Sequence, residues 1–70
     1  MENLKQLLND LAEDAALEKR YASEREAIFK EYELSEDAAA AMRNEDVDRV
    51  RELSGLDNAQ LTNHTIKAYR

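Results

Sequence analysis

Leu4, Leu7, Leu8 and Leu11 recur at the i, i+3, i+4, i+7 spacing that lines one face of an α-helix, with Lys5, Gln6, Asn9 and Asp10 on the other side. This spacing predicts a first helix from Glu2 to Asp14. Leu17 and Tyr21 stand four apart after Ala15-Ala16 and share a face of a second short helix, or of a bent continuation of the first. Ser23-Glu24-Arg25-Glu26 has the form of a capping box, in which the Ser23 hydroxyl accepts from the Glu26 amide and the Glu26 carboxylate reaches back to the Ser23 N–H. A third helix is therefore expected to start there and end near Glu33, with Ala27, Ile28 and Tyr32 as its apolar face and Phe29 alongside.

Ser35 is placed to cap a fourth helix, Glu36 to Arg43, whose Glu36 and Asp37 put negative charge on the first turn. Ala38 to Ala41 favour the helix strongly, bury little area each and let a neighbouring backbone come close. Asn44 is the expected cap of a fifth helix, Glu45 to Leu53, with Val47, Val50 and Leu53 as its stripe and Ser54-Gly55 as a left-handed C-cap.

Past Gly55 the helical pattern stops. Leu56 to Gln60 shows no clear period, and Leu61 to Ile66 is rich in residues that favour extended or turn backbone. The expected fold is all-α: a small bundle of about four to five short helices over 1–55, followed by an extended or disordered C-terminal tail over 56–70. A helix over 57–69, capped by Asp57 or Asn58, is the alternative for the tail.

Composition narrows the function. With 70 residues the chain is one domain at most, and a core of that size contributes only about 3–5 kcal/mol of net stability, so a partner is expected. Cysteine is absent, which removes disulfides, thiolate zinc sites and cysteine nucleophiles, and fits a reducing, cytoplasmic setting. No segment approaches the roughly 20 apolar residues that span a bilayer, so no membrane role is expected. The formal charge of −6 is uneven, −7 before Leu56 and +1 from there on. An acidic body repels phosphate, which argues against nucleic acid as a partner.

The acids at Glu24, Glu26, Glu31, Glu33, Glu36 and Asp37 lack the alternating ligands and glycine turn of a calcium loop, and read as a solvated face. Tyr21, Phe29 and Tyr32 are too few for base stacking. His64, the one histidine, has neither a nucleophile nor an orienting partner identifiable from sequence, so no catalysis is expected of this chain. The tail contains no proline and no glycine after Gly55. Each of its residues therefore carries both a backbone N–H and a side chain.

Arg25-Glu26-Ala27-Ile28-Phe29-Lys30-Glu31-Tyr32-Glu33-Leu34-Ser35-Glu36-Asp37, with Met42-Arg43-Asn44-Glu45-Asp46-Val47 and Arg51-Glu52-Leu53-Ser54-Gly55, resembles the small helical subunit of extradiol protocatechuate dioxygenases. The same runs look still more like the precursor peptides of split borosins, in which such a helical domain precedes a C-terminal core peptide. That resemblance implies a substrate: residues 1–55 as leader, 56–70 as core. A separate S-adenosylmethionine-dependent α-N-methyltransferase would bind the chain in a heteromeric complex and methylate its backbone, and this chain would hold no cofactor or metal. Carried over from the Ser54-Gly55 junction, the modified nitrogens fall at Asn63, His64 and Thr65, with Ile66 one register slip away, and Leu61, Thr62 and Lys67 flank them as partner-binding positions. The dioxygenase reading, a non-catalytic helical subunit or similar interaction module, lacks the histidine-proline turn and leucine-rich run that come after the junction in that family.

Overall fold

The computed structural model describes residues 3–69, in the order α1 (Leu4–Glu13), α2 (Ala15–Glu31), α3 (Glu36–Arg43), α4 (Val47–Ser54), β1 (Gln60–Thr62) and β2 (Thr65–Lys67). Glu2, the expected start of the first helix, lies outside the described residues, as does Arg70 at the end of the expected core segment. The fold is mostly helical, with four helices among the described residues, and a two-stranded antiparallel sheet stands where an extended or disordered tail was expected. No helix among the described residues is long and apolar enough to cross a membrane.

The leucine stripe of α1 is the floor of the core, with Leu4, Leu7, Leu8 and Leu11 all buried. At Asp14 the backbone leaves the helix (φ −115, ψ 101), and the carboxylate accepts from the amides of Ala16 at 3.0 Å and Leu17 at 3.2 Å. A single residue thus ends α1 and caps α2. Helix α2 absorbs the second and third expected helices, and its one non-helical residue, Glu24 (φ −125, ψ 35), marks where a new helix was expected.

The expected capping box does not form. The Ser23 hydroxyl lies 3.4 Å from the Arg20 carbonyl, and the Glu26 carboxylate accepts from Arg43 at 2.7 and 2.8 Å. A bidentate, charge-assisted pair is stronger than a bond from a neutral amide, and the Arg43 guanidinium holds the Glu26 carboxyl below the usual carboxylate range. Ile28 and Phe29 are buried, Ala27 is exposed, and Tyr21 meets Phe29 edge-on at 5.9 Å. Burial pushes the Tyr21 hydroxyl up to about 12.

Helices α2 and α3 are each followed, two residues past the last helical residue, by a glutamate with positive φ, Glu33 (52) and Glu45 (57). In each case the two amides at the turn fold back: Leu34 to the Phe29 carbonyl and Glu33 to Lys30, then Asp46 to Ala41 and Glu45 to Met42. This is the Schellman pairing, here built without glycine. The second turn consumes Asn44 and Glu45, so α4 begins two residues later than expected. Asp46, not Asn44, is its cap, accepting from the Arg49 amide at 3.2 Å. Ser35 caps α3 and Gly55 (φ 76) closes α4, both as expected.

The caps make a direct test. Asp46→Ala is expected to lower stability by about 1 kcal/mol and Asn44→Ala by no more than about 0.5 kcal/mol, read from paired urea unfolding curves. Equal losses, or a larger loss at Asn44, would contradict the assigned start of α4.

Candidate functional site

The segment after Gly55 first makes a tight turn, with the Leu56 amide on the Ser54 hydroxyl at 3.2 Å and the Ala59 amide on the Leu56 carbonyl at 3.2 Å. Arg51 Nε donates to the Ala59 carbonyl at 2.9 Å and ties this turn to α4. Gln60 then pairs with Lys67, Leu61 with Ile66 and Thr62 with Thr65. The loop is only Asn63-His64, both with positive φ (50 and 65), the backbone of a two-residue hairpin turn of the primed kind.

Here the expectation of an extended or disordered tail is corrected, and the helix over 57–69 does not form either. Two short runs of β-favouring residues flank an asparagine that tolerates left-handed backbone, which is a hairpin pattern in itself. A hairpin this small is marginal in isolation. It is held because α1 presents apolar surface to it: Ile66 (1 % exposed), Ala68 and Ala59 join the core beside the leucine stripe.

Polar contacts fix the docking. Asn9, only 8 % exposed, donates from Nδ2 to the Ala68 carbonyl at 2.7 Å, while the Ala68 N–H reaches the Leu8 carbonyl at 3.2 Å. The backbone of Ala68 is thereby gripped at donor and acceptor together. Lys67 Nζ meets Glu18 at 2.6 Å, a partly shielded pair in which the carboxylate raises the lysine above its ordinary range. At the tip, His64 Nδ1 lies 3.3 Å from both oxygens of Glu45. Asn58 Nδ2 holds the Tyr69 carbonyl at 2.7 Å.

Magnitudes rank these contacts. The His64 side chain is 82 % exposed, so its pair with Glu45 is worth about 0–1 kcal/mol. Losing a buried donor and leaving a carbonyl unsatisfied costs about 1–3 kcal/mol, so Asn9 is the stronger anchor.

The candidate positions separate accordingly. Asn63 and His64 sit at the exposed tip, whereas Thr65 (5 % exposed) and Ile66 are buried. Leu61 and Thr62 lie on the exposed strand β1, and Lys67 is engaged with Glu18 of the same chain. Sequence reasoning placed Asn9 on the wet face of α1 and did not pair Glu18 or Glu45 with the tail. Asn9 lies 59 positions from Ala68, and no local period carries such a contact. Among the described residues no group of acids and histidines is placed to hold a metal. Elsewhere a groove of about 440 Å³ lies between α2 and α3, lined by Phe29, Leu34, Ala39 and Ala40 together with Lys30 and Glu33.

No family model, curated protein or solved structure matches this chain.

Asn9→Ala is expected to raise hydrogen exchange at the Lys67 and Ala68 amides by about tenfold or more, and to leave central α2 amides within about threefold of the parent. His64→Ala should change neither. A larger effect at His64 than at Asn9 would reverse the ranking.

Proposed function

We propose that this chain is a ribosomal precursor peptide, with residues 1–55 as leader and 56–70 as the core whose backbone amides a separate S-adenosylmethionine-dependent methyltransferase methylates. The observation that carries this reading is the division at Gly55. A capped helical body ends there, and the segment beyond it is a small proline-free hairpin with one exposed strand and an exposed tip. Such a hairpin becomes extended chain once it leaves α1, since two short strands alone do not stay folded.

The chemistry asks little of the substrate's side chains. An amide nitrogen is a weak nucleophile because its lone pair is shared with the carbonyl. A base on the partner removes the N–H proton, and donors around the carbonyl oxygen hold the developing negative charge. The nitrogen then bonds to the methyl carbon as the carbon–sulfur bond breaks, and that electron pair returns to sulfur to give the neutral thioether. This chain supplies extended backbone, and its acidic body, −7 over the first 55 residues, favours a basic docking surface. Docking of the body raises the core's effective concentration at the active site to about the millimolar range.

The groove between α2 and α3 favours a second reading, a non-catalytic helical interaction subunit, because a groove on the body works without the tail. The two readings part at the tail: the subunit needs only its groove, and the substrate needs the backbone amides of the core segment.

Incubation with a cognate α-N-methyltransferase and S-adenosylmethionine is expected to add methyl masses that fragmentation places between Leu61 and Lys67. A peptide of residues 56–70 alone should react at least about tenfold more slowly. Methyls confined to side chains or to residues 1–55, or equal rates for peptide and whole chain, would overturn the proposal.

A further inference from the structure

The four candidate nitrogens are not equivalent in the docked hairpin. Thr62 and Thr65 flank the two-residue loop as its closing pair, so the Thr65 N–H points across the ladder at the Thr62 carbonyl. Alternation along the strand turns the Ile66 N–H to the opposite edge. That edge faces the body, since the Ala68 N–H, two residues on and pointing the same way, donates to the Leu8 carbonyl. Asn63 and His64 occupy the centre of the turn, outside the ladder.

Resting on the reading that these amides are methylated, we infer that docking of the hairpin and methylation at Thr65 or Ile66 exclude one another, so that the modification itself holds the C-terminal strand open. The steric reason is simple. A ladder nitrogen sits about 2.9 Å from its acceptor oxygen. Transfer replaces the hydrogen by a methyl carbon about 1.5 Å from nitrogen, along the same direction. That carbon would then lie about 1.4 Å from the oxygen, where a carbon–oxygen contact needs about 3.3 Å. At Thr65 the methyl therefore forces β2 away from β1. At Ile66 it enters the side of β2 that lies against α1, beside the grip of Leu8 and Asn9 on Ala68.

The acceptors thus fall into two classes. The tip nitrogens of Asn63 and His64 are accessible in the docked state. That of Thr65 is reached only after β2 has parted from β1, and that of Ile66 only after β2 has left α1, and once methylated neither can return. The unmodified core is guarded by its own leader, and the modified core stays exposed to whatever enzyme acts next.

The test needs no methyltransferase, so its failure is distinct from failure of the substrate reading. Full-length chains made by chemical synthesis would carry a single N-methyl at Thr65, at Ile66 or at Leu61. Leu61 is the control, because its N–H points away from Ile66 to the edge of β1 where no strand pairs. Hydrogen exchange read by NMR is expected to show Lys67 and Ala68 protected in the unmodified and Leu61-methyl chains. In the Thr65- and Ile66-methyl chains that protection should fall at least about tenfold, with α1 to α3 still protected. Unchanged protection at Lys67 and Ala68 in the Thr65- and Ile66-methyl chains would overturn the inference. Loss of helical protection in those chains would overturn it as well, because release would then not be confined to the hairpin.

Discussion

Four leucines on one ten-residue helix have to be covered, and the chain has few large apolar residues with which to do it. Helix α2 packs along α1, α4 meets it, and β2 covers the remaining flank. Alanines occupy much of the rest of the core, at Ala38, Ala41, Ala59 and Ala68. They contribute little buried area each and work by letting backbones approach. The C-terminal segment is drawn into the fold because α1 would otherwise expose part of its stripe. The hairpin is a consequence of that deficit more than of its own strand propensity.

Such an arrangement places the same residues under two demands. Ile66 and Ala68 help close a core that is small to begin with, while the proposed chemistry requires the neighbouring backbone to leave. The contacts that hold it are graded in a way that suits this. The tip is pinned by an exposed imidazole–carboxylate pair, the middle by a lysine against a partly shielded carboxylate, and the root by a buried amide grip. Opening from the tip breaks the weakest contact first. The turn at Leu56–Ala59 stays anchored through Arg51, so the released strand remains tethered close to the body.

Surface charge is arranged for pairing across elements as well as for solvation. Arg43 on α3 joins Glu26 on α2 and also lies over Phe29 at 5.9 Å, and Arg20 pairs with Glu31 within α2. These carboxylates are exposed, so each pair contributes modestly. Their effect is to fix side chains that local rules would use otherwise. Glu26 leaves its expected cap for Arg43, and Glu45, expected to open a helix, lies against His64 instead.

What the sequence alone determined is the local order. The leucine face of α1, the caps at Ser35 and Gly55, the valine stripe of α4 and the change of character after Gly55 all arise from spacing and propensity within a few residues. The shift of the α4 cap to Asp46, the unused box at Ser23 and the merging of two helices into α2 did not, because each depends on a partner or turn outside the window that local rules consider. The candidate segment was legible as a segment, and its hairpin turn was latent in Asn63 between β-favouring runs. Its docking was decided only in three dimensions. A strand of three residues has no stability of its own to announce, and the surfaces that make it one, Leu8 and Asn9 on α1, lie at the other end of the chain.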